Sequence, residues 1–289
     1  MTVCKLICSL LLFVGAALAN DRVAIVFNDQ EPDSKPLAEF YAAKRDIPTN
    51  QIYRLSLRPV ETITRREFND GILAPLKQLL PSRIHFVVLI YGVPLRIDND
   101  PTLIEPGVSE RTPKQFQMNH ASVESELAAQ LRQNVPATGA VPNPFYGLRG
   151  AFGETTLPGR IVLVGRLDGP DPATVRRMVE DALRVERFGL QGRAYFDIQS
   201  TTDAGYKQGD DWIRDAYSAF REVGFECELD DRPATFGAED PVTDVVIYAG
   251  WYTTHANGPF VRQDFRFKPG AIAYHIHSAS GASVRSKTL

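Results

Sequence analysis

The chain has 289 residues, with 32 lysines and arginines against 35 aspartates and glutamates and a formal net charge of −3. This mildly acidic balance contains no basic cluster, which argues against nucleic acid or an anionic membrane surface as the main partner. The one strongly apolar stretch, at the N-terminus, is too short to span a bilayer.

Residues 1–19 read as a secretory signal. Lys5 is the only charge before Asp21, the apolar run 6–16 follows, and Ala17-Leu18-Ala19 supplies a small-x-small cleavage pattern. The expectation is an exported chain, periplasmic or extracellular, cut near Ala19 and without stable membrane insertion of its mature part. Losing 19 of 289 residues leaves 270 and moves the charge from −3 to −4, because Lys5 is the only charged residue removed. That length suits one large α/β domain or two small ones. Cys4 and Cys8 leave with the signal, so no internal disulfide can form; Cys227, in the apolar run 225–229, reads as a buried inert thiol.

The first block spans 20–97. A continuous apolar run at 23–27 predicts a strand, and Ser34 is positioned to cap a helix to about Arg45 with Leu37, Phe40, Tyr41 and Lys44 on one face. A strand follows at 52–57. Thr64 and Glu67 form a capping box, flanked by Ile63 and Phe68 as a hydrophobic staple. Phe68, Ile72, Leu76 and Leu80 continue the apolar stripe of that helix, which Pro75 should kink. The run 84–91 is apolar almost throughout, as a central parallel strand would be. The block reads βαβαβ.

Residues 98–158 break this rhythm. They are rich in Pro, Gly and Asn and hold one helical candidate, 121–131; we expect a lid, packed through Phe145, Tyr146 and Phe152. The second block, 159–289, opens with a strand at 160–166. Asp171 then caps and Pro172 opens a helix to about Phe188. A strand at 194–198, a helix at 210–223 stopped by Gly224, and strands at 225–229, 245–249 and 271–275 complete the set. The last two read as buried strands. Together the blocks predict a three-layer α/β sandwich with a mainly parallel sheet and a lid-like insertion.

In such folds ligands bind where strands end. Asn28, Asp29, Arg96, Arg166, Asp168, Trp251, His255 and the segment 275–280 stand at predicted strand ends. His275 and His277 alternate on one strand face, a spacing that can place two imidazoles on one metal ion. His255 with Ser278 or Ser280 is the candidate nucleophile pair, since a serine needs a base within hydrogen-bond reach; Asp168 or Glu124 would orient the imidazole. No Gly-x-Ser-x-Gly elbow is present. Arg166-Leu-Asp-Gly169 either binds a polar ligand or braces the turn that follows, and Trp251 and Tyr252 read as a pocket wall. No Gly-x-Gly-x-x-Gly or Walker loop is present, so no nucleotide cofactor is expected; a metal is the only cofactor to consider.

Tyr91-Gly-Val-Pro-Leu-Arg96, Ala121-Ser-Val-Glu124, Arg166-Leu-Asp-Gly169, Gly250-Trp-Tyr252 and Gly270-Ala-Ile-Ala-Tyr-His-Ile-His-Ser278 resemble an uncharacterised family of secreted bacterial proteins. That family is found in genomes carrying exosortase sorting systems. The resemblance implies an exported protein without an assigned activity, and a natural chain that continues beyond Leu289. A more remote likeness is to caspase-like and gingipain-like peptidases, which place a histidine after one strand and a cysteine after the next. The matching turns here are Gly250-Trp-Tyr252 and His277-Ser278, which depart from that pattern at both catalytic positions. Either His255 and Ser278 substitute from displaced positions, or the fold serves binding.

Overall fold

The computed structural model describes residues 21–104, 112–133, 135, 138, 162–251, 258–276 and 283–285. The predicted signal and most of the expected lid, with Phe145, Tyr146 and Phe152, lie outside the described residues. The chain forms two compact units, one made of Met1–Val175 and Ala282–Leu289, the other of Arg176–Gly281. Both are α/β, built on parallel sheets flanked by helices.

In the first unit, β1 (Val23–Asn28) is followed by α1 (Ser34–Lys44), β2 (Ile52–Leu55), the short β3 (Thr62–Ile63), α2 (Arg65–Phe68), α3 (Ala74–Leu79) and β4 (Phe86–Ile90). Then come the short β5 (Arg96–Ile97) and β6 (Ala121–Ser122), α4 (Val123–Gln130) and β7 (Leu163–Leu167). The main sheet has the order β2-β1-β4-β7 and is parallel throughout. Alternation along β1 explains its continuous apolar run. Ala24 and Val26 face a core with Phe68, Ile72, Leu76 and Leu127, whereas Ile25 and Phe27 face Leu37, Ala38 and Ala42 of α1. This unit has three layers.

Three expectations need correction here. The strand expected to open the second block is β7, which pairs in parallel with β4 and completes the first sheet. The helix within the insertion buries Val123 and Leu127 in the first core, so it is a crossover helix between β4 and β7 rather than part of a lid. Ser34 caps nothing: its hydroxyl accepts the Asn28 N–H at 3.0 Å. The buried face of α1 is Leu37, Ala38 and Ala42, while Lys44 is exposed. The Thr64–Glu67 capping box forms as expected. Ahead of Pro75 the helix widens into a π turn over Asn69–Leu73, which accommodates the missing proline donor.

The second unit contains most of α5 (Pro172–Phe188), then β8 (Arg193–Asp197), α6 (Ala204–Glu222), β9 (Glu226–Asp230), β10 (Val245–Trp251) and β11 (Ile272–Ile276). Its sheet has the order β9-β8-β10-β11, again parallel. In each sheet the first strand is flanked by the second and third, so both units share one winding. One face packs on α6 through Phe196, Val246, Ala249 and Trp251. The other is covered by the aromatic cluster of Tyr195, Tyr248, Phe236, Phe260 and Phe265.

The helix α6 begins six residues earlier than the sequence periodicity suggests. Asp203 is its N-cap, accepting from the Gly205 and Tyr206 N–H groups at 3.0 and 3.3 Å. Gly224, at φ +92°, ends it in the left-handed conformation that glycine adopts freely. β11 is a further correction: it lies at the sheet edge, and Ile272 and Tyr274 are each 61% exposed. An apolar run read as a buried strand is thus exposed along most of its length.

Candidate functional site

In an open parallel sheet the ligand crevice lies outside the strand carboxyl ends, where neighbouring connections diverge. In the first unit that point falls between β1 and β4, and the residue ending β1 is Asn28. It is fully buried and fully used. Its Nδ2 donates to the Gly92 carbonyl at 2.9 Å, and its Oδ1 accepts from the Leu57 and Gln30 N–H groups at 3.0 and 3.2 Å. It ties together the ends of β1, β2 and β4. Asn28→Ala would strand a buried donor and acceptor, so urea unfolding should show a loss of about 1–3 kcal/mol.

In the second unit the same point falls between β8 and β10, and Asp197 ends β8. The register places His275, Gly250, Asp197 and Asp230 in one line across four parallel strands, on one face. Asp197 is completely buried. Its Oδ2 accepts from the Phe236 N–H at 3.0 Å and from the Tyr248 hydroxyl at 3.3 Å. Its Oδ1 is buried with no partner among the described residues. Where the first unit has a satisfied amide, the second has a carboxyl with one oxygen left over.

The electrostatics sharpen this contrast. Asp230, beside it, is compensated by Arg232, whose Nε lies 2.7 Å from Oδ1 and whose guanidinium continues to Asp240. Among the described residues Asp197 has no ion-pair partner of its own, and the Arg232 charge is the least of the influences on it. Burial pushes its pKa up to about 6, the Asp230 charge adds to the rise, and the bonds from Phe236 and Tyr248 only partly oppose it. The Tyr248 phenol is driven well above its ordinary range, by burial first and by the Asp197 charge second, so it stays a donor. Gly250 makes this reach possible: a Cβ there would stand 2.5 Å from the Tyr248 hydroxyl oxygen and 2.9 Å from the Asp197 Cβ. The His275 ring centroid is 6.0 Å from that of Tyr248.

The candidates read from sequence are distributed as follows. Tyr252, His255, His277, Ser278 and Ser280 lie outside the described residues. Trp251 is buried in the α6-facing core, on the sheet face opposite Asp197. Its Nε1 donates to Asp210 Oδ1 at 2.7 Å, and the same carboxylate accepts from the Gln199 and Thr201 N–H groups. His275 is exposed on β11. Arg166, Asp168 and Glu124 come together in the first unit. Arg166 pairs with Glu124 through Nε, meets Asp168 Oδ2 at 3.1 Å, and donates to the Val93 and Pro94 carbonyls. Arg166 and Asp168 therefore brace each other. The Cys227 thiol is pushed up by burial, which disfavours the reactive thiolate.

Asp197 and Tyr248 are the residues that sequence reasoning passed over. The apolar run 194–198 continues through Ile198, which hides Asp197 as a strand terminus. Among the described residues no three His, Cys, Asp or Glu side chains gather to hold a metal ion, and no helix is long and apolar enough to cross a membrane. No family model, curated protein or solved structure matches the chain.

Proposed function

We propose that this chain is an exported α/β protein of the exosortase-associated kind. It acts on a ligand at the carboxyl edge of the second sheet, with Asp197 transferring a proton in a hydrolase-like reaction. The observation that carries the reading is the buried Asp197 Oδ1 at the end of β8, which has no partner among the described residues. A carboxyl whose pKa is raised to about 6 holds its proton closer to neutrality than an ordinary aspartate, which suits a group that must both take and give a proton. The phenol of Tyr248 fixes its other oxygen. Export rests on Lys5, the apolar run 6–16 and Ala17-Leu18-Ala19. In sequence, His255 follows the end of β10 by four residues and Ser278 follows the end of β11 by two, so both enter this reading as base and nucleophile. Metal binding through His275 and His277 would need a third ligand.

A fluorophosphonate probe followed by peptide mapping tests the reading. The expected result is covalent labelling of Ser278 or Ser280, slowed at least about tenfold by Asp197→Asn in a chain shown to be folded by circular dichroism. Labelling at neither serine, or labelling indifferent to Asp197→Asn, would overturn it and leave a binding protein.

A further inference from the structure

We propose that Glu61, Tyr91, Val93 and Asp168 in the first unit form a socket for an arginine-bearing peptide segment, occupied in this chain by its own Ser283, Val284 and Arg285. The three residues are held as a bound peptide would be, by side chain and main chain together. The Arg285 guanidinium makes a two-pronged bond to Asp168, with Nε 3.0 Å from Oδ1 and Nη2 on Oδ2. Nη2 also donates to the Val93 carbonyl at 2.7 Å, and the guanidinium carbon lies 5.2 Å from the centroid of the Tyr91 ring. Asp168 is only 3% exposed and Arg285 13%. On the backbone side, Glu61 Oε1 accepts from the Arg285 N–H at 2.9 Å, the Val284 N–H at 3.1 Å and the Ser283 hydroxyl at 3.2 Å.

The fork geometry selects arginine. A lysine ammonium is a point donor and cannot span both carboxylate oxygens while bonding a carbonyl. The aromatic face adds attraction for a flat cation. The socket is also supported without its occupant. Asp168 accepts independently from the Gly169 N–H at 2.9 Å and from Arg166, and the Val93 carbonyl is also held by Arg166. With Arg285 in place, two guanidinium groups meet the carboxylates of Glu124 and Asp168, while Glu61 is met by main-chain N–H groups and the Ser283 hydroxyl. Without it the Arg166 guanidinium alone faces those two carboxylates, and the surplus negative charge favours a cation. The main-chain donors that Glu61 accepts are present in any peptide, so the recognition transfers to a segment supplied in trans.

The test uses the full chain carrying Arg285→Ala and a blocked peptide, Ala-Ser-Val-Arg-Ser, titrated by calorimetry. The Arg285→Ala chain should bind the peptide at least about tenfold more tightly than the unaltered chain, whose socket is filled. Adding Asp168→Asn should remove that gain, and a peptide with lysine for arginine should bind about tenfold more weakly. Equal affinity of the altered and unaltered chains, or of the arginine and lysine peptides, would overturn the proposal. If circular dichroism shows Arg285→Ala unfolded, Arg285→Lys takes its place, with agmatine as the probe. Agmatine should then raise the thermal midpoint of Arg285→Lys but not that of the unaltered chain; the same response in both would refute the socket.

Discussion

Arg65→Ala should destabilise the first unit by about 3–5 kcal/mol, among the largest losses available to a single substitution in this chain. Arg65 is 1% exposed, the largest fully buried side chain among the described residues, at the first position of α2. Its Nη1 donates to Glu126 Oε2 at 2.7 Å on α4, and its Nη2 donates to the Asn119 carbonyl. Truncation would leave the Glu126 carboxylate in a mostly buried setting with Gln130 as its remaining donor among the described residues, and the Asn119 oxygen without its bond from Arg65. Uncompensated buried charge, rather than the lost attraction, sets the size of the effect. The guanidinium also lies over Phe68, at 5.7 Å from its carbon to the ring centroid, so a cation–π contact is lost too. Replacing both partners, as Arg65→Met with Glu126→Leu, should recover a large part of the loss, because nothing charged is then stranded. Urea unfolding followed by far-ultraviolet circular dichroism measures both changes. A single-mutant loss below about 1 kcal/mol would mean that water reaches the pair and relieves it.

The same pair shows why parts of this fold were legible in sequence and others were not. Local signals held: the Thr64–Glu67 box, the Phe68-Ile72-Leu76-Leu80 stripe, the continuous apolar runs of β1 and β4, and Gly224. Each is decided by neighbours a few residues away or by burial on both faces. Readings failed where distant partners decide. Glu126 sits 61 residues from Arg65, so a helix read as part of a lid in fact turns two carboxylates inward, Glu126 to Arg65 and Glu124 to Arg166. The sheet joined by β7 is fixed by its pairing with β4 across the whole insertion. Asp210, read as a helix start, is an interior residue recruited by Trp251, 41 positions away. The polar, glycine-containing turn at 204–209 carries no apolar period to announce the true beginning of α6. At the candidate site the pattern repeats. An aspartate after an apolar run is ordinary in sequence, and only the packing of Phe236 and Tyr248 around it reveals an oxygen without a partner. The separation of 117 positions between Asp168 and Arg285 conceals their pairing in the same way.

Asp197→Asn should make the protein more stable at neutral pH, by about 1–3 kcal/mol. The folded state raises the Asp197 pKa from 3.8 to about 6, so between those values the folded chain holds more protons than the unfolded one. Stability must then fall as pH rises through that window. The contribution is fully present below about 4 and lost above about 6. At about 1.4 kcal/mol per pH unit, the whole interval is worth about 3 kcal/mol. Asparagine keeps an oxygen for the Phe236 N–H and the Tyr248 hydroxyl, carries no charge to bury, and introduces a donor that itself lacks a partner; hence the lower end of the range. Glu61, Glu67 and Asp240 titrate with the opposite sign, because hydrogen bonds hold their pKa values below the ordinary range and their contribution is lost as pH falls. The decisive quantity is therefore the difference between Asp197→Asn and the unaltered chain. It should be near zero at pH 4, grow through pH 5 and level off above about 6, as read from urea midpoints across that range. A flat difference, or a variant less stable at pH 7, would show that the carboxyl carries no such cost. If the difference follows the expected course, the chain keeps a carboxyl that weakens its own fold at neutral pH. A stability cost retained at the end of a parallel strand is characteristic of groups held ready for function rather than for folding.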